Sequence, residues 1–285
     1  MKLFRFGQPG DEKPGLILED GRKIDAAGFG EDYDEAFFGG DGLVRLEKWA
    51  ADNARTAPEV DDEVRMGAAI CRPTKIVCIG LNFTDHAIEA GMDIPEEPVV
   101  FFKASSAYCG VNDNLIIPKT SKKTDWELEL AFVIGKEASY VDEDSAMKHV
   151  AGYAMHNDYS ERNFQLERGG QWVKGKSCDS FAPFGPFMAT ADEIKDVYDL
   201  KMKLKVNGET KQDGNTSYFI FQIPKIISYL SQMMTLLPGD IISTGTPPGV
   251  GMGMKPPTYL KPGQSMRLGV DGLGEQRQMV RAYAP

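Results

Sequence analysis

The sequence predicts a β-rich, mixed α+β protein, and three observations carry that prediction. Short apolar runs of strand length recur from Lys75 to the C-terminus, punctuated by Gly and Pro. In that region only Ser145–His149 and Pro224–Met233 have helical character, with Ile226, Ile227 and Leu230 clustered on one face of the second. No internal repeat, low-complexity segment, G-x-G-x-x-G or phosphate loop occurs, which argues against a nucleotide-binding α/β fold.

Taken in order, the first ten residues carry Lys2 and Arg5 but lack the apolar core of a secretory signal, and they read as a first strand. Leu16-Ile17-Leu18 and Lys23-Ile24 flank Asp20-Gly21, which predicts a β-hairpin. Leu43, Leu46, Trp49 and Ala50 have helical spacing, and a polar stretch, Thr56–Val64, follows. No chemistry is visible here, so residues 1–70 are expected to form a small α/β accessory domain and residues 71–285 the catalytic one. After Pro73 the chain enters an apolar strand at Lys75–Gly80. Further strands are expected at Val99–Lys103, Asn114–Pro118, Trp126–Ile134, Ala151–Asn157, Lys201–Asn207, Asp240–Thr244 and Ser265–Val270. Asn207-Gly208 and Lys261-Pro262-Gly263 read as turns.

Composition narrows the function. At 285 residues, 42% hydrophobic and 26% charged, the chain can bury a full core. Its longest apolar runs, such as Pro98–Phe102, are too short to cross a bilayer, so no membrane association is expected. A net charge of −10 without a basic stripe argues against nucleic acid. The same charge repels an anionic substrate, unless a bound metal ion supplies local positive charge. Four cysteines without a C-x-x-C pair suit free, packed thiols in a reducing compartment, hence the cytoplasm.

The densest chemistry lies in Asp125–Gly135. Along a strand, Trp126, Leu128 and Leu130 share one face and Glu127 and Glu129 the other. That second face is either a solvated acidic surface or a pair of carboxylates whose repulsion a hard divalent cation relieves. Asp158, just past a strand, offers a third carboxylate, or else a turn or cap residue. The three histidines (His86, His149, His156) have no zinc-site spacing. His86 and Glu89, three apart, become neighbours on a helical turn, where the acid orients an imidazole that can take a proton from water. Surface helices carry such pairs routinely, but the polar, Gly- and Pro-containing flank to Pro98 reads as a lid. Ser243–Gly251, Gly- and Pro-rich after an apolar strand, is expected to bring backbone amides close to a ligand.

Together these segments resemble the fumarylacetoacetate hydrolase family. The resemblance runs through Gly80-Leu81-Asn82-Phe83-x-x-His86-x-x-Glu89, Asp125-x-Glu127-x-Glu129, Asn157-Asp158-x-Ser160-x-Arg162-x-x-Gln165, Gly175-Lys176-Ser177 and Gly245-Thr246-Pro247-x-Gly249-Val250-Gly251, in the family's order. It implies a β-sandwich or β-roll catalytic core, usually homodimeric, behind a small variable N-terminal domain. It implies Mg²⁺ or Mn²⁺ on Glu127, Glu129 and Asp158. A pocket of Arg162, Gln165, Lys176 and Thr246 is implied as well, with His86 and Glu89 activating water. Glu161 and Cys178 depart from the commonest pattern and are expected to alter pocket shape.

The resemblance further implies cleavage of the C3–C4 bond of a small 2-oxo acid substrate. This would be an acylpyruvate or a 2,4-diketo-3-deoxy sugar acid, giving pyruvate plus a carboxylic acid. Chain length and the full N-terminal segment lean towards the sugar acids. A same-fold oxaloacetate decarboxylase, 2-oxo-dienoate isomerase or hydratase, or lyase is the nearest alternative. A non-catalytic metal- or ligand-binding module is the remaining one, disfavoured because His86, Glu89 and Lys176 are all present.

Overall fold

The computed structural model describes residues 1–90 and 93–284, with the side chains of His86, Ala87 and Ala90 outside that description. Strands dominate, as the punctuated apolar runs require. The larger sheet runs Lys23–Asp25, Lys13–Ile17, Lys2–Phe6, Met188–Thr190, Val150–Asn157, Leu128–Ile134, Ile241–Ser243, Ile76–Gly80, Val99–Lys103. Its neighbours are antiparallel except Ile241–Ser243 beside Ile76–Gly80. The expected hairpin forms between Lys13–Ile17 and Lys23–Asp25, and its partner Lys2–Phe6 pairs with Met188–Thr190. Three strands among the first seventy residues thus extend the same sheet, and the helix Gly42–Asn53 comes after them in that segment.

A second sheet runs Glu209–Asn215, Lys201–Val206, Ser265–Val270, Glu275–Ala282, Leu115–Ile117. Lys201–Val206, Ser265–Val270 and Glu275–Ala282 are buried on alternate residues, as with Met202, Leu204 and Val206, so one face looks inward. That face is not wholly apolar. Gln212 accepts from the Leu128 amide (2.9 Å), and Gln276 donates to the Met155 carbonyl (3.1 Å), tying the two sheets together. Leu128–Ile134 and Val150–Asn157 are buried along their whole length, the pattern of strands covered on both faces.

Several strands escape the apolar-run criterion, two of them long. Glu209–Asn215 and Glu275–Ala282 are mostly polar in sequence, and pairing rather than composition makes them strands.

Candidate active site

The central strands bring the site together. Leu128–Ile134 and Val150–Asn157 pair with His156 opposite Glu129 and Asn157 opposite Leu128. Just beyond that ladder the Asp158 amide donates to the Glu127 carbonyl (2.8 Å), and the Glu127 amide to the Asn157 side chain (3.0 Å). These bonds set three carboxylates side by side. Glu127, Glu129 and Asp158 each offer an oxygen, and those oxygens lie within 4.8 Å of one another. All three are buried, Glu127 at 7% exposure and Asp158 at 0%, so the solvated-surface reading of this acidic face is wrong.

Buried carboxylates need compensation. Lys176 donates to Glu127 (2.5 Å) and Asp158 (2.7 Å), and Lys103 donates to Asp158 and to the Tyr159 carbonyl (3.1 Å). Arg162 forks between Asp125 (2.8 Å) and Glu127 (2.6 Å) and donates to the Gln165 carbonyl oxygen (3.0 Å). The titrations follow. Burial opposes the charge of Asp158, but Lys103 and Lys176 outweigh it and hold the carboxyl well below its usual range. Glu127 is likewise lowered, burial being overcome by Arg162 and Lys176. Glu129 goes the other way: burial, then Asp158 and Glu127, push it well above the usual carboxylate range. Burial would lower Lys176, yet Asp158 and Glu127 raise it, so it stays an ammonium.

Glu127, Glu129 and Lys176 form the floor of a cavity of about 540 Å³, with Asp158 bonded to Lys176 behind them. Arg162, Gln165, Lys176 and Thr246 line it with Glu127 and Glu129, and Ile79, Phe101, Trp172, Val250 and Met254 form apolar walls. Trp172 sits edge-on to Phe101 (centroids 5.4 Å apart) and against Gly80, where a Cβ would come within 2.9 Å of the indole. Thr246 is anchored: its hydroxyl donates to the Leu128 carbonyl (2.9 Å) and accepts from Gln212 (2.7 Å).

The Gly-rich segment 243–251 approaches as expected, but amides within it grip carboxylates of the site. Gly245 N–H donates to Glu129 (3.0 Å) and Gly249 N–H to Glu89 (3.1 Å). Both glycines have positive φ, and a Cβ on Gly249 would lie 1.9 Å from the Lys211 carbonyl. Glu89, on the helix Thr84–Ala90, lines the cavity mouth. His86 is on the same helix, and its side chain lies outside the described residues.

Residues 75–281 match the sequence model of the family described as Fumarylacetoacetate (FAA) hydrolase C-terminal. The chain belongs to the fumarylacetoacetate hydrolase family. It is accordingly an enzyme, of the hydrolases that act on carbon–carbon bonds. A Burkholderia multivorans relative, provisionally named a hydrolase, is 53% identical over 283 residues, 99% of each chain. The solved fumarylacetoacetate hydrolase of Exiguobacterium antarcticum is 34% identical with a TM-score of 0.84, covering 99% of this chain and 100% of that one. A maleylpyruvate hydrolase from Sphingobium sp. SYK-6, solved with manganese(II) and pyruvate, is 28% identical with a TM-score of 0.82 over the full length of both chains.

Within this family fold, the donor set suits a divalent cation. Four buried carboxylates (Asp125, Glu127, Glu129, Asp158) face three buried cations (Lys103, Arg162, Lys176), and the three clustered acids present only hard oxygen ligands. Two residues outside the expected set belong to this site. Asp125 accepts from Arg162 and from the amides of Gly251 (2.7 Å) and Met252 (2.9 Å), tying the guanidinium to the cavity wall. Lys103 ends an apolar strand in phase with buried Phe101, a placement that signals a paired inward lysine. Glu161 and Cys178, expected to shape the pocket, do not line it. Glu161 caps the helix Arg162–Leu166 through the Asn163 amide (3.2 Å) and accepts from Thr124 (3.1 Å). Cys178 lies near the Lys174 carbonyl.

Proposed function

We propose that this enzyme hydrolyses the C3–C4 bond of a small 2,4-dioxo acid, an acylpyruvate or a 2,4-diketo-3-deoxy sugar acid, to pyruvate and a carboxylic acid. The observation that carries the reading is a cluster of three buried carboxylates, two of which line one cavity together with the Lys176 ammonium and the Gln165 amide, with Glu89 at its mouth. Glu127, Glu129 and Asp158 would hold Mg²⁺ or Mn²⁺, which when bound supplies Lewis-acid polarisation worth several kcal/mol.

The chain's own residues then divide the work. His86 takes a proton from water and Glu89 holds the imidazole for it. Lys176, kept protonated by its two carboxylate neighbours, places positive charge where negative charge develops as the C3–C4 bond breaks. The guanidinium of Arg162 holds the Gln165 carbonyl oxygen, which leaves the amide NH₂ of Gln165 to meet a substrate oxygen. Phe101, Trp172 and Met254 exclude water and favour a short acyl group with an apolar end over a fully hydroxylated tail. The division near residue 70 belongs to the same reading, since every residue lining the cavity lies beyond it. So do a homodimer and the cytoplasm, which the four free thiols suit.

The test is pyruvate release from acylpyruvates, 2,4-diketo-3-deoxy sugar acids and oxaloacetate, with Mg²⁺ or Mn²⁺ and with EDTA. Metal-dependent pyruvate together with the matching carboxylic acid is the expected result. Carbon dioxide from oxaloacetate alone would replace hydrolysis by decarboxylation. Silence across the panel would shift the reading to a same-fold isomerase, hydratase or lyase.

A further inference from the structure

His156 is the one buried imidazole among the described residues, and no step above uses it. It lies on Val150–Asn157 in register with Glu129, while Ser243 lies on the strand at the other side of Leu128–Ile134. Its Nδ1 is 2.7 Å from Ser243 Oγ, and Ser243 Oγ is 2.5 Å from Glu129 Oε2. Gly245 N–H donates to that same oxygen at 3.0 Å. The three side chains form a line across three strands, within a sheet whose backbone is already paired.

The protons can be assigned once Glu129 is the carboxylate that a cation requires. A carboxylate only accepts, so Ser243 donates its single hydroxyl proton to Glu129. Ser243 Oγ must then accept from the imidazole, which fixes the Nδ1–H tautomer and leaves Nε2 bare. Nε2 has no partner among the described residues, consistent with an acceptor walled off from donors. Glu129 Oε2 is saturated by Ser243 and Gly245, so Oε1 is the oxygen left to turn towards Glu127 and Asp158.

We propose that His156 and Ser243 brace Glu129, making His156 a positioning residue that sets the affinity of the site for its divalent cation. Outer hydrogen bonds of this kind fix the orientation of a ligating group, and losing one typically weakens metal binding by about 10- to 100-fold. The inference rests on the assignment of the cation site to Glu127, Glu129 and Asp158.

The experiment is calorimetric titration of the full-length chain with Mn²⁺, comparing wild type with Ser243→Ala, His156→Ala and His156→Gln. Ser243→Ala and His156→Ala should each weaken Mn²⁺ binding by roughly 10- to 100-fold. His156→Gln, whose amide can still donate to Ser243, should recover most of that loss. Metal-free melting curves check that the variants are folded, and Ser243→Thr, which keeps the hydroxyl, replaces Ser243→Ala if that variant is not; it should bind as wild type. Wild-type affinity in folded His156→Ala would overturn the brace, as would equal losses in His156→Ala and His156→Gln. A wild-type chain that binds no Mn²⁺ would overturn the cation site and the brace with it.

Discussion

Lys176 donates to Glu127 at 2.5 Å and to Asp158 at 2.7 Å, so one ammonium touches two of the three clustered carboxylates. Lys176 and a divalent cation therefore neutralise the same acids. Replacing Lys176 by Met should leave Glu127 and Asp158 short of a partner. Removing one member of a buried pair costs roughly 3–5 kcal/mol. The melting temperature should fall, and Mn²⁺ should restore more of it in the variant than in wild type. Thermal melts of both proteins with and without Mn²⁺ check this.

The pH dependence follows from opposite shifts at neighbouring acids. Glu129 is raised above its unfolded value, so the folded metal-free chain holds that proton more tightly and this contribution is lost as pH rises through the raised value. Asp158 is lowered, and its contribution is present above the unfolded value and lost as pH falls. A cation must displace the Glu129 proton, so Mn²⁺ affinity should increase with pH and binding should release protons. Titrations in buffers of different ionisation enthalpy measure that release; a pH-independent affinity would contradict the assignment.

Glu89 and His86 should separate catalysis from metal binding. Glu89→Gln or His86→Ala should lower turnover by about 10²- to 10⁴-fold, the usual contribution of a general base. Neither is among the three clustered acids, so Mn²⁺ affinity should stay at the wild-type level. Steady-state rates and metal titrations on the same preparations check both halves.

Arg162 spans Asp125 and Glu127 through different nitrogens, which a lysine cannot reproduce. Arg162→Lys should therefore lower kcat/KM and also destabilise the fold. Asp125→Asn should loosen the same guanidinium along with the Gly251 and Met252 amides. Urea unfolding should show both losses, each of about 1–3 kcal/mol for a charged hydrogen bond removed.

Much of the site was legible before any coordinates. Glu127 and Glu129 alternate with Trp126, Leu128 and Leu130, and only an extended chain gives that alternation a meaning. The order of the Asn82–Glu89, Asp125–Glu129, Asn157–Gln165 and Gly245–Gly251 segments pointed to the family that residues 75–281 match. The strands Val99–Lys103 and Ser265–Val270 were placed to the residue, because apolar or alternating runs bounded by turn residues mark their own ends. Glu209–Asn215 was not, since its side chains are mostly polar and the strand exists only through its ladder to Lys201–Val206.

By itself, then, the sequence determined the β-rich class, the family and the identity of the three acids, all properties of local alternation and motif order. The tertiary structure decided whether those acids face water or one another, because alternation says which face a residue takes and not what covers it. It also decided their partners. Lys103 with Asp158, Asp125 with Arg162, and His156 with Ser243 are separated by 55, 37 and 87 residues. Only packing brings such pairs within hydrogen-bond reach, and a buried carboxylate leaves the packing no stable arrangement without them.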